Sequence, residues 1–159
     1  MSEEIKFFTS YYANIPNLEG YFLISISGGI TPEIEKVIDK HDKRMAPNLS
    51  LFSQYKKSQE IKDVSTFFNE ERYVKRFKKE VLSNIEINSF IEEYKNIYAE
   101  HKKDIVFLCY EKPEDFCHRH IVQEFLNENG FKTSEVISEE YEFKDYKYTL
   151  KNKILEDEW

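Results

Sequence analysis

Residues 105–120 read IVFLCYEKPEDFCHRH, and the reading of the fold starts there. Ile105 to Tyr110 is a short unbroken apolar run, the pattern of a strand covered on both faces, as in a parallel sheet under helices. It closes on Glu111 and the turn Lys112-Pro113-Glu114-Asp115. Phe116 to Asn129 then reads as a helix, with Ile121, Val122, Phe125 and Leu126 on one stripe and Gln123, Glu124, Asn127 and Glu128 opposite. Asp115 is its expected N-cap and Gly130 its expected C-cap.

Working outward, Ile5 to Tyr12 and Tyr21 to Ile26 read as strands, and Thr133 to Ile137 as a weaker one. Ser65 to Ser83 and Asn88 to Lys102 carry helical apolar spacing, the first through Phe68, Val74, Phe77, Val81 and Leu82, the second through Ile91, Tyr94 and Tyr98. The C-terminal half therefore alternates helix and strand, which implies a βαβ unit with a right-handed crossover. Ala13 to Gly20 is short for a parallel crossover, so the first two strands are expected either to pair antiparallel or to be joined by an irregular link. Asp39 to Pro47 reads as a loop with local basic character. The expected fold is α/β: a three-layer Rossmann-like domain with a mainly parallel sheet of four to five strands, over residues 1–140. Residues 141–159 alternate charge and aromatic residues and are expected either to pack as a C-terminal arm or to fray.

Composition narrows the function classes. The chain has 159 residues, 40% hydrophobic and 33% charged, with four Gly and four Pro, which excludes collagen-like and low-complexity architectures. The net charge of −7 disfavours nucleic acid as a partner through bulk attraction, although a local basic patch on Lys75, Arg76, Lys78 and Lys79 remains open. That run reads first as a solvated helix face. No stretch is long and apolar enough to span a membrane. MSEEIKFF lacks the basic and apolar regions of a secretory signal, and two cysteines without an export signal suit reduced thiols, so a cytoplasmic location is expected.

The chemistry-bearing residues gather where the central strand passes into the helix. In open α/β sheets ligands sit beyond the carboxyl ends of the strands, and helix N-termini there offer free N–H groups to anions. Glu111 is the expected acid/base and Arg119 the expected anion clamp, with Glu111–Arg119 pairing as the bland alternative. His118 shares proton transfer or braces the loop. Cys117, in the first helical turn, is a candidate thiol nucleophile, while Cys109 reads as a small buried hydrophobe. His120 is expected to be solvated or partly packed. The Cys109, Cys117, His118 and His120 spacing matches no common zinc ribbon or finger, so no metal is expected. Gly28-Gly29 is not a GxGxxG fingerprint, and no cofactor is implied.

The Cys-Tyr-Glu run, the short acidic loop and the Cys-His-Arg helix start resemble the signature of DUF488, a family of unknown function. Thr9-Ser10-Tyr11, Ser25-Ile26-Ser27, Ala46-Pro47 and the helix holding Tyr73 fit a divergent branch of it, over about residues 5 to 137. Members commonly carry an Asp-Val-Arg segment at the end of the second strand. Ser25-Ile26-Ser27 stands there instead, so chemistry needing that Asp and Arg is not carried over. The resemblance implies an α/β fold with its site at the strand-to-helix junction. The expected site is a strand-end pocket for a small anionic or nucleotide-like ligand. Its floor would be Thr9, Ser10, Ser25, Ser27 and Gly28, and its wall Glu111, Cys117, His118 and Arg119. A hydrolase or transferase acting on a nucleotide or nucleic-acid group is the leading reading. The alternative is a non-catalytic binding module in which Cys-His-Arg is a structural brace.

Overall fold

The computed structural model describes residues 5–53, 70–111 and 117–139. Among the described residues the sheet has five strands: β1 (Phe7–Tyr11), β2 (Tyr21–Ser25), β3 (Lys40–His41), β4 (Asp104–Cys109) and β5 (Thr133–Glu135). Their order is β3-β2-β4-β1-β5, and every neighbouring pair is parallel. The α-helices are α1 (Pro32–Val37), α2 (Glu70–Glu80), α3 (Ile87–His101) and α4 (His118–Glu128), together with helical residues 49–53. This is the expected α/β Rossmann-like fold. Among the described residues no helix is long and apolar enough to cross a membrane. The turn Lys112-Pro113-Glu114-Asp115, part of the helix expected over residues 65–83, and the arm 141–159 lie outside the described residues.

β4 is central because every residue after Asp104, from Ile105 to Cys109, is apolar and buried. Ile105, Phe107 and Cys109 face the larger core, and Val106 and Leu108 face a smaller one with Leu18. In the large core Phe107 stacks on Phe7 at 5.7 Å and meets the Tyr94 ring edge-on at 5.4 Å. Fully burying each such side chain contributes about 1.5–3 kcal/mol. On the other face lie Tyr12 and Ile15, from the 3-10 helix Tyr12–Asn17, and Ile38.

That 3-10 helix resolves the relation between the first two strands. They are neither antiparallel nor neighbours: β4 lies between them, and the 3-10 turn carries the chain across. Two other expectations change for similar reasons of packing. The loop expected over Asp39 to Pro47 contains the two-residue β3, too short to show as an apolar run, hydrogen-bonded beside Ile24 and Ser25. In α4 Gln123 is fully buried rather than solvated, because Thr9 Oγ1 of β1 donates to its Oε1 at 3.2 Å. His120 is likewise buried. Phe125 packs against the core only partly buried. The helix starts two residues later than expected, at His118, with Cys117 rather than Asp115 at the N-cap, and it ends with Gly130 in the left-handed region at φ +87°.

Candidate functional site

A cleft of about 410 Å³ opens beyond the carboxyl ends of β2 and β4. β2 runs out into Ser27, Gly28 and Gly29, β4 into Tyr110 and Glu111, and the chain returns to the same place at Cys117 and His118. Pro47, Phe52 and Tyr73 close the remaining side. The parallel register explains the convergence: Ser25 pairs with Leu108 and Tyr11 with Cys109, so three strands end at one level. Two half-exposed rings, Phe52 and Tyr110, stand on the cleft, and the Tyr110 hydroxyl donates to the Gly29 carbonyl at 3.1 Å.

The cleft floor is a thiol–imidazole group. His118 Nε2 lies 2.8 Å from the Ile26 carbonyl oxygen, to which it donates, and 3.3 Å from Cys109 Sγ. Its Nδ1 stands 4.0 Å from the sulfurs of both Cys109 and Cys117. Cys109 is 1% exposed and Cys117 3%, yet both line the cleft. Burial alone would raise the Cys117 thiol. The hydrogen bond from Cys109 and the charges of Arg119 and His118 outweigh it and hold Cys117 well below the ordinary thiol range. Burial, reinforced by the neighbouring Cys117, pushes Cys109 well above that range. The Tyr73 hydroxyl is also raised, first by burial and then by the two sulfurs, and stays a neutral donor.

The residues expected to form one pocket divide into two groups. Ser27, Gly28, Glu111, Cys117 and His118 line the cleft together. Thr9, Ser10, Ser25 and Arg119 do not. Thr9 points to α4, where it meets Gln123 and, at 3.4 Å, Glu135. Ser10 points to the opposite face and donates to the Val136 carbonyl at 2.7 Å. Ser25 is bonded to the Tyr12 hydroxyl, which also reaches Ser27, each at 2.5 Å. Alternation along a strand sends neighbouring side chains to opposite faces, so Thr9 and Ser10 cannot share a floor.

Arg119 is fully buried. Its Nε lies 2.6 Å from Glu135 Oε1, and its Nη1 donates to the Glu111 carbonyl at 2.7 Å. It therefore ties α4 to β5 and to the end of β4, behind the cleft rather than in it. The expected anion clamp thus holds a carboxylate of the protein itself, Glu135, and the main chain of Glu111. Glu135 is the residue that sequence reasoning missed. Its one signal was a carboxylate inside the weak strand Thr133 to Ile137, two positions from the buried Thr133.

A family model described as the active DUF488-N3 subclade matches residues 23–130. The chain belongs to the DUF488 family. The matched span takes in the last three residues of β2, all of β4 and α4, and every residue that lines the cleft of this DUF488 domain. No curated protein and no solved structure matches the chain.

Proposed function

We propose that this DUF488 protein is an enzyme whose active site is the strand-end cleft, a hydrolase or transferase acting on a small nucleotide-like ligand. The observation that carries the reading is the fixed imidazole: His118 is held by the Ile26 carbonyl with its other nitrogen turned to two sulfurs, inside an open cleft. A base oriented by a third group beside a nucleophilic atom is the general arrangement of activated sites. Glu111 stands on the same cleft as the acid/base candidate.

The cleft volume, about 410 Å³, falls within the ordinary range for small-molecule sites. Phe52 and Tyr110 offer ring faces on which a flat heterocycle can stack. Anion recognition would rest on the N-terminal N–H groups of α4, with Arg119 lending its charge from behind. The family description, an active subclade, is in keeping with chemistry at this site.

A thermal-shift screen of nucleosides, nucleotides, phosphosugars and short oligonucleotides tests the reading. A stabilising ligand is expected among the first three classes. Glu111→Gln keeps the shape and removes the charge, so it should retain that shift and lose turnover. The closed Arg119–Glu135 pair favours the second reading, a non-catalytic module braced by Cys-His-Arg. In that case Glu111→Gln changes nothing and no ligand is turned over.

A further inference from the structure

The spacing of Cys109, Cys117 and His118 along the chain resembles no common zinc motif, but the fold cancels that spacing. The end of β4 and the N-cap of α4 place both sulfurs and an imidazole nitrogen within 4.8 Å of one another. We propose that Cys109, Cys117 and His118 bind a thiophilic divalent cation, zinc by preference, with a fourth coordination position open to the cleft.

Four observations carry this. The first is distance. A tetrahedral zinc with bonds of about 2.3 Å to sulfur and about 2.0 Å to nitrogen separates its ligand atoms by roughly 3.5–3.8 Å. His118 Nδ1 already stands 4.0 Å from each sulfur, so a small contraction closes the set. The second is orientation. Metal-bound histidines donate their other ring N–H to a carbonyl or carboxylate, which fixes the ring. His118 Nε2 does this with the Ile26 carbonyl at 2.8 Å, leaving Nδ1 for the metal.

The third is charge. Two thiolates neutralise a divalent cation, and the two protons they lose pass to solvent. Two sulfurs and one nitrogen select zinc over magnesium or calcium, which take oxygen. The fourth is access. All three residues line the cleft beside Glu111, and three protein ligands with an open fourth position are the arrangement of catalytic rather than structural zinc. A metal there would bind water or substrate within reach of the Glu111 side of the cleft. This goes beyond the proposed function: with the metal bound, His118 and the two sulfurs are its ligands rather than base and nucleophile, and Glu111 alone keeps the acid/base role on the cleft.

The experiment uses the full chain, purified under reducing conditions without chelator, followed by elemental analysis and by cobalt titration of protein stripped of metal. One zinc per chain is expected. Cobalt should give a sulfur-to-metal charge-transfer band in the near ultraviolet and the intense visible bands of a tetrahedral site, and one equivalent of zinc should abolish both. Cys117→Ser and His118→Ala should each weaken zinc by about 100-fold or more, at least the upper end of what outer-shell losses cost. His101→Ala, at an exposed histidine away from the site, should leave the affinity unchanged. The cobalt spectrum of the unmutated protein needs no variant to fold. Absence of zinc together with absence of the charge-transfer band overturns the proposal, as does an octahedral cobalt spectrum lacking sulfur. Either result leaves the ligand screen of the cleft to be decided on its own outcome.

Discussion

Two arginines of this molecule, each paired with a carboxylate, live in different solvents. Arg119 and Glu135 have side chains 0% and 1% exposed, and they join α4 to the edge strand β5. Arg44 is 43% exposed and reaches down to Asp42, whose side chain is 2% exposed. Arg44 grips Asp42 with Nε at 3.0 Å and Nη2 at 2.7 Å, and the Arg44 main-chain N–H adds a third bond at 3.1 Å. The Tyr94 hydroxyl completes the set around Asp42. The first pair has surrendered its water on both sides, the second on one side only. The separations are similar, 2.6 and 2.7 Å, but the dry pair attracts more strongly and leaves its partner without water, so the penalty for breaking each is set by what the abandoned partner can do next.

The buried pair should break hardest. Arg119→Ala strands Glu135 in a dry site and should cost about 3–5 kcal/mol in denaturant melts, the range for opening a buried pair. Arg119→Met with Glu135→Leu removes both charges and should restore most of that loss. If the double variant is no better than the single, the pair is held by more than mutual neutralisation.

The half-buried pair ranks next. Asp42→Asn should cost about 1.5–3 kcal/mol at neutral pH, the range for hydrogen bonds to a charged group. Burial alone would raise the Asp42 carboxyl, but the bonds from Arg44 and Tyr94 prevail and hold it below the ordinary carboxylate range. A group depressed by folding contributes stability that is complete above its unfolded value, near 3.9 for Asp, and is lost as pH falls through its folded value. The gap between wild type and Asp42→Asn should therefore stay constant down to about pH 4 and close below it, as read from urea midpoints across that window. A gap that widens in acid would reverse the sign and discard the argument.

These tests also show what the chain of residues disclosed and what it withheld. The three longer strands, the helices around Phe77, Tyr94 and Leu126, and the cleft residues Glu111, Cys117 and His118 were legible because periodicity and the strand-to-helix junction are local signals. Arg119 was misplaced in the pocket because one helical residue step turns a side chain by roughly 100°. Cys117 and His118 thus face the cleft while Arg119 faces β5. The Thr9–Gln123 and Arg119–Glu135 contacts depend on β1 lying between β4 and β5, an order that no local pattern encodes. Cys109 read as a small buried hydrophobe because an apolar strand reads as core even where its last residue reaches the sheet end and lines the cleft.

Smaller effects sharpen the contrast further. Phe125→Ala should cost about 1–2 kcal/mol, below the cost of emptying a fully buried site, because Phe125 is only partly buried against the core. Arg76 and Glu80 form a surface pair one helical turn apart at 2.6 Å. Arg76→Ala should leave the urea midpoint within experimental scatter, since exposed pairs keep their water when broken. A clear drop would mean that the basic face of α2 is tied into the core through more than that bond.

Ile105 stands between Phe7 on one side and Phe22 on the other. Both earlier strands thus wait for a partner that the ribosome delivers about a hundred residues after the first of them. At translation rates of about 5–20 residues per second, the nascent chain carries β1 and β2 without that central partner for roughly 5–20 s, β2 having only the two-residue β3 beside it. β5, the other neighbour of β1, arrives later still. The sheet therefore closes around its middle only once β4 has been made, and a chain stalled before residue 104 can build neither central ladder. Truncated products of this protein should be soluble only while a chaperone holds those two strands apart from other chains.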